Sequence, residues 1–263
     1  MPRAERPKRW KYVSWEEMAQ ENPLFAVMTT TDMADAPATD FSPEQLEKLF
    51  TKGRRVFGRH IAGALAHAPG PKEEALVVEY GCGVGRMLKA ANAAGYRVAG
   101  IDISPTMLEH CRRLAPEAEA LYALDEEGRC AMASESAAAV FSYAVVQHIS
   151  RLSNYLTAFD EMCRVLKPGG VLVAQVNCLD FEDGDFDRPG RTENFETYSL
   201  HYRPDEAEPF LRHNQNQWTG VYVGHELLTG FLAERGMRIN NWRAHSAEKS
   251  LAVWLYGVKR RRK

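Results

Sequence analysis

Between residues 75 and 177 the chain alternates short apolar runs with amphipathic stretches. The runs at 75–80, 97–103, 120–123, 138–143 and 170–176 have strand character, and the stretches at 86–94, 105–114 and 152–166 carry helical periodicity. Punctuation agrees with the pattern. Ser104-Pro105 supplies an N-cap and a proline at the first helical position, and Gly95 and Pro168-Gly169-Gly170 stop the helices before them. Strand and helix in alternation imply βαβ crossovers and a parallel sheet covered on both faces. After residue 223 the rhythm resumes with a helix at 225–235, a turn at Gly236, a strand near 237–242 and a final strand at 251–258.

Two stretches stand outside this rhythm. In residues 1–70, a short helix is predicted from Trp15 to Phe25, ending near Asn22-Pro23. A longer one starts at Ser42-Pro43-Glu44-Gln45, where Ser and Gln have the spacing of a capping box. It carries Leu46, Leu49, Phe50, Phe57, Ile61 and Leu65 at helical spacing and stops at Pro69-Gly70-Pro71. Residues 178–223 are polar and aromatic, with Asp180, Glu182, Asp183, Asp185 and Asp187 near their start, and are too long for an ordinary connection. The expected organisation is an N-terminal helical cap over 1–70, a core over 71–177, an insertion or lid over 178–223, and a return to the core over 224–263 with a basic tail.

Composition narrows the class. With 263 residues, 45% hydrophobic and 26% charged, the chain has the make-up of a globular protein with a sizeable core. No apolar run nears the roughly 18 residues that span a bilayer, and the basic N-terminus lacks the apolar segment of a signal peptide. Five scattered cysteines form no Cys-x-x-Cys pair, which fits reduced thiols and a cytoplasmic location. The net charge is −2, with basic residues gathered at both termini. No RNA- or DNA-binding motif accompanies them, so solvated ends are expected rather than nucleic-acid contacts. The acidic run fails as a calcium loop, because Arg188 stands at the sixth position counted from Asp183, and no metal is expected.

The strongest chemical signal is Val77-Val78-Glu79-Tyr80-Gly81-Cys82-Gly83-Val84-Gly85, with Asp102 17 residues after Gly85. Glycines in a strand-to-helix turn allow a ligand to approach the backbone. A dinucleotide fingerprint requires a further glycine three residues after the second, and Arg86 occupies that position. Glu79 at the strand end would repel phosphates but suits a cationic amino group. A ligand with an amino acid at one end, a ribose in the middle and an adenine at the other meets these constraints, which points to S-adenosyl-L-methionine, with S-adenosyl-L-homocysteine as its product. Cys82, inside the turn, reads as a small side chain beside the ligand.

These residues resemble the first motif of the class I S-adenosylmethionine-dependent methyltransferases. Gly100-Ile101-Asp102-Ile103-Ser104 resembles the second, Phe141-Ser142-Tyr143-Ala144-Val145-Val146-Gln147-His148-Ile149 the fourth-strand motif, and Arg164-Val165-Leu166-Lys167-Pro168-Gly169-Gly170 the turn into the fifth strand. The resemblance implies a Rossmann-like α/β fold with a seven-stranded, mostly parallel sheet, helices on both faces and an antiparallel last strand. It also implies cofactor contacts from Glu79, Gly81, Cys82, Gly83, Gly85, Asp102, Ile103, Met107, Ser142, Tyr143 and Gln147. Asp102 is placed for the ribose hydroxyls. The family often has an acidic residue near the adenine after its third strand. Asp125 is the candidate, followed by Gly128 and Arg129, with Glu126 and Glu127 as alternatives. The family's common Asp at the start of the fourth strand is replaced by Ala137-Ala138-Ala139.

Methyl transfer from a sulfonium needs positioning above all, and needs a base when the acceptor must lose a proton. His148, just beyond the fourth strand, is the candidate base, because ligands in open α/β sheets bind at the carboxyl ends of the strands. Tyr12, Phe25, His213, Trp218 and Tyr222 are candidate acceptor contacts. The expected reaction is O-methylation of a small molecule of phenol, sugar or secondary-metabolite type, by a monomer or homodimer. The alternatives are N-methylation of a small molecule or peptide, and a nicotinamide-dependent oxidoreductase.

Overall fold

A computed structural model describes residues 14–28, 41–149, 151–177, 196–198, 221–244 and 252–261. Nine strands are described: β1 (Leu76–Tyr80), β2 (Arg97–Asp102), β3 (Ala120–Ala123), β4 (Ala137–Ser142), β5 (Leu166–Asn177), β6 (Glu196–Tyr198), β7 (Val221–Val223), β8 (Met237–Ala244) and β9 (Ala252–Lys259). Seven of them form one sheet in the order β3-β2-β1-β4-β5-β9-β8. Neighbours from β3 through to β5 are parallel, whereas β9 runs antiparallel to β5 and to β8. The order reverses between β1 and β4, which opens a crevice at their carboxyl ends.

The core helices are α5 (Arg86–Ala93), α6 (Pro105–Leu114), α7 (Leu152–Val165) and α8 (His225–Glu234). Apolar residues on the two faces of the sheet build two separate cores. One joins Val78, Tyr80, Ile101 and Val140 to Tyr155, Phe159 and Met162 of α7. The other joins Val77, Val98 and Phe141 to Met87 and Leu88 of α5 and to Phe57 and Ile61 upstream. Strands with apolar side chains on both faces suit a sheet buried on both sides, as the uninterrupted apolar runs require.

Three departures from the expected elements have local causes. The predicted helix at Trp15–Phe25 is two helices, α1 (Trp15–Glu21) and α2 (Pro23–Val27). Asn22 ends α1, and its side chain then accepts from the Phe25 amide to start α2, with Pro23 at the first helical position. The long helix after Ser42 runs as α3 (Pro43–Val56), a π-helical turn (Phe57–Ile61) and α4 (Ala62–Leu65). Within the π-turn, His60 stacks on Trp254 at 4.8 Å and its carbonyl accepts from the Tyr256 hydroxyl, so the turn is fastened to β9.

The third departure is that β5 begins at Leu166 rather than Gly170. Its register against β4 slips between Ala137↔Leu166 and Ala139↔Val171, and the intervening Lys167-Pro168-Gly169-Gly170 bulges from the ladder. Pro168 has no N–H to donate and Gly169 takes a φ of 82°, so this segment stops α7 without leaving the strand. Within the stretch expected to be an insertion, β6 pairs with β7 in a small parallel sheet of their own, and Val221 and Val223 pack into the α7 core.

Candidate active site

The glycine turn joins β1 to α5 and is held by the end of β2. Gly81 and Cys82 both donate their amides to the Ile101 carbonyl, at 2.7 and 3.0 Å. A Cβ on Gly81, whose φ is 78°, would lie 2.3 Å from the Val145 side chain, so β1 and the loop after β4 meet without room for any other residue. Gly85 starts α5 with a φ of 83°, and a Cβ there would strike Ala115 and the Cys111 thiol. Asp102, at the end of β2, accepts from Gly83 N–H through Oδ2 at 2.7 Å and from Ser104 N–H through Oδ1 at 2.9 Å. Its carboxylate therefore fixes the turn as well as facing the crevice. Burial raises its pKa to about 6, against the lowering effect of these amides.

Above the turn lies a cavity of about 300 Å³. It brings together Glu79, Gly81, Cys82, Gly83, Asp102, Ile103, Met107, Tyr143, Gln147 and His148, all of them expected from the sequence. Glu79 is 3% exposed, and its Oε2 has no hydrogen-bond donor. Burial lifts its carboxyl well above the usual range, and the nearby Arg86 guanidinium only partly opposes this. The Cys82 thiol sits beside Cys111 and is buried; both effects push it up, so it is a packing group rather than a nucleophile. At the rim, the Gln147 amide lies 3.2 Å from His148 Nε2. The Trp15 ring meets the His148 ring edge-on at 5.4 Å.

Other expected residues are spent elsewhere. Ser142 is buried and its hydroxyl donates to the Tyr80 carbonyl, tying β4 to β1. Gly85 shapes the start of α5 without lining the cavity. Asp125, Gly128 and Arg129, expected near an adenine, do not reach the cavity. Asp125 is exposed, and its carboxylate accepts from the amides of Glu127 and Arg129, closing a turn in which Gly128 has a φ of 75°. Arg129 pairs with Asp160 and Glu161 on α7. The nearby Leu124 lines the cavity instead. Phe25 packs against the cluster of Leu24, Met28, Leu49 and Met107 and does not itself line the cavity. Tyr12, His213 and Trp218 lie outside the described residues, and Tyr222 is described only as backbone of β7.

The helices of the expected N-terminal cap bring in residues that no motif marks. Met18, Ala26, Val27, Met28 and Lys52 line the cavity. Glu16 holds these helices in place: its carboxylate accepts from the Ser104 hydroxyl at 2.6 Å and from the Thr106 amide at 3.2 Å, at the start of α6. Although burial opposes it, this bonding leaves the Glu16 pKa lowered. Arg86, read only as a misfit for a dinucleotide, is 7% exposed, donates to the Val27 carbonyl at 2.9 Å and lies over the Tyr143 ring. Among the described residues, no group of three or more His, Cys, Asp or Glu is arranged to hold a metal ion, and no helix is long and apolar enough to cross a membrane.

The strand order β3-β2-β1-β4-β5-β9-β8, a glycine turn after β1 and an acid at the end of β2 define a Rossmann-like α/β fold with its crevice at the carboxyl ends of β1 and β4. Residues 78–174 match the family model described as a methyltransferase domain. That segment is thus a methyltransferase domain, and the chain has the fold of the class I S-adenosylmethionine-dependent methyltransferases. It is 31% identical over 132 residues to an uncharacterized methyltransferase, YodH, of Bacillus subtilis, a match that covers 49% of this chain and 55% of that protein. It is 29% identical over 117 residues to a human protein named probable tRNA methyltransferase 9B, covering 44% of this chain and 24% of that one. The chain thus spans about half or less of the curated relatives it matches. Magnesium protoporphyrin IX methyltransferase from Synechocystis, solved with bound S-adenosylmethionine, shares the fold at a TM-score of 0.51 and 16% identity, over 84% of this chain and 86% of that one.

Proposed function

We propose that this protein transfers the methyl group of S-adenosylmethionine to an oxygen of a small acceptor, with His148 as the general base. The observation that carries the reading is Glu79. A carboxylate buried at the end of β1, with one oxygen lacking a donor, is costly unless a ligand supplies a cation. The amino group of S-adenosylmethionine is such a cation, and the turn at Gly81 leaves no side chain in its way. Asp102 keeps acceptor capacity for ribose hydroxyls beyond the two amides it already binds.

The cofactor supplies a methyl group already activated on a sulfonium. The chain has to orient the acceptor, exclude water and remove one proton. Trp15, Met18 and Met28 cover the cavity from the N-terminal side and keep it largely apolar. In the tautomer that keeps its proton on Nδ1, His148 Nε2 is an acceptor, as the adjacent Gln147 amide requires. Displacing that amide would free Nε2 to take the proton of an acceptor hydroxyl as its oxygen received the methyl group that the bound cofactor would supply.

The first 70 residues and segment 178–223 then choose the acceptor. A cavity roofed by helices and lined by Trp15, Tyr80, Tyr143 and methionines favours a small, partly apolar molecule. The name of the human relative favours a second reading, an RNA acceptor. The deciding experiment incubates the protein with S-adenosylmethionine and a panel of hydroxyl and amine metabolites plus unmodified tRNA, and looks by mass spectrometry for one added methyl group. A gain on tRNA alone overturns the small-molecule reading. Thermal stabilisation by NAD, with none by S-adenosylhomocysteine, overturns the cofactor. His148→Ala should retain S-adenosylhomocysteine affinity and lose roughly 100-fold or more in turnover with a hydroxyl acceptor. Unchanged turnover would remove His148 from the mechanism.

A further inference from the structure

Lys52 lies on α3, some thirty residues before the glycine turn. It nevertheless lines the same cavity as Glu79 and is half-buried there. Burial first, and then the charges of Arg86 and Arg55, hold its ammonium below the ordinary lysine range. The charges acting on it are thus cationic, and among the described residues it has no carboxylate in salt-bridge contact. Arg86 beside it is already engaged, with the Val27 carbonyl, the Tyr143 ring and the field of Glu79. Nor is there slack to carry Lys52 away. A Cβ on neighbouring Gly53 would sit 2.6 Å from the Arg86 carbonyl oxygen and 2.8 Å from its Cγ, so α3 and α5 touch at this point.

Among the described residues, one cavity therefore holds a buried carboxylate oxygen without a donor and a partly desolvated ammonium without an anion. That pairing is complementary to a zwitterion. We infer that Lys52 binds the α-carboxylate of the cofactor's amino-acid end, opposite in charge to the ammonium met by Glu79, and makes the site select ligands that carry the intact amino acid. The inference rests on the S-adenosylmethionine reading given above. It assigns to the N-terminal helices a part in cofactor selection in addition to covering the site.

The test is calorimetric titration with two ligands, S-adenosylhomocysteine and 5′-methylthioadenosine. Both carry the adenosine and the thioether, and only the first carries the amino acid. In Lys52→Met, S-adenosylhomocysteine affinity should fall about tenfold, the lower end for a charge-assisted bond at a half-buried site. Affinity for 5′-methylthioadenosine should stay within about twofold and thereby report that the variant is folded. Lys52→Arg should recover most of the preference. Equal weakening of both ligands assigns Lys52 to packing and overturns the inference. So does an unchanged ratio combined with a raised KM for the methyl acceptor, which would hand the cation to the acceptor. If the unaltered protein binds neither ligand, the cofactor reading itself fails and the inference goes with it.

Discussion

Replacing Glu79 with Gln should make the ligand-free protein more stable and the ligand-bound protein weaker. The side chain is 3% exposed, and Oε2 has no donor. Burial outweighs the attraction of Arg86 and raises the carboxyl well above its ordinary value of 4.5. An acid raised in the folded state holds its proton there while the unfolded chain has lost it, so its contribution to stability falls as pH rises through that window. At about pH 7 the cost is bounded by the work of keeping the proton, about 3 kcal/mol. The floor is about 1 kcal/mol, the cost of an unsatisfied buried acceptor. Gln carries no charge to desolvate and retains an oxygen for the Leu88 amide that the carboxylate now accepts.

Calorimetric melting of the ligand-free protein should then show the two forms level near pH 4.5 and the variant higher by roughly 2–10 °C at about pH 7. With S-adenosylhomocysteine the order inverts, because losing a charge-assisted bond to the ammonium weakens affinity roughly 10- to 150-fold. A variant that melts lower at every pH, or that binds S-adenosylhomocysteine as tightly as before, would refute the reasoning.

Two further changes probe the frame of the site. In Asp102→Asn the amide nitrogen, placed where Oδ2 now accepts from Gly83 N–H, would oppose a second donor. Affinity for S-adenosylhomocysteine should fall by about 1–3 kcal/mol and hydrogen exchange in the glycine turn should rise; an unaltered exchange pattern would show that the turn stands without Asp102. Glu161 is fully buried and accepts from Arg129, Arg164 and the Cys130 amide, which outweigh its burial and lower its pKa to about 2. The stability it contributes is present above about pH 4.5 and is lost as pH falls towards 2. Glu161→Ala should destabilise by about 3–5 kcal/mol near neutral pH and flatten acid unfolding in that range; denaturant melts across pH check both.

The parts of the site legible in the sequence are those written in contiguous residues. Glu79, Gly81, Gly83 and Asp102 occupy strand ends and a turn whose conformation only certain residues tolerate, so type and spacing alone located them. The same holds for the caps at Ser42 and Ser104, since each satisfies backbone groups within three residues of itself. Asp125 and Arg129 stand off the cavity, and an acid followed by Gly and Arg after a strand serves a ligand and a turn equally well. The choice between the two lay in Asp160 and Glu161, about thirty residues away. An Asp with Gly three residues on was the one local hint of a turn.

By itself the sequence determined the parallel strands of the sheet, the glycine turn and the acid that faces it, because these depend on backbone geometry and periodicity, which are local. Tertiary structure alone decided which side chains of the N-terminal cap line the cavity and what charge enters it. Glu16 bonds to Ser104 across 88 positions, and Arg86 to Val27 across 59. Those contacts bring Trp15 and Met18 over a turn from which they are far removed in sequence, and the packing of α3 on α5 at Gly53 does the same for Lys52. No spacing rule records them, because the helices that carry them are positioned by packing against α5 and α6 and not by any pattern of their own.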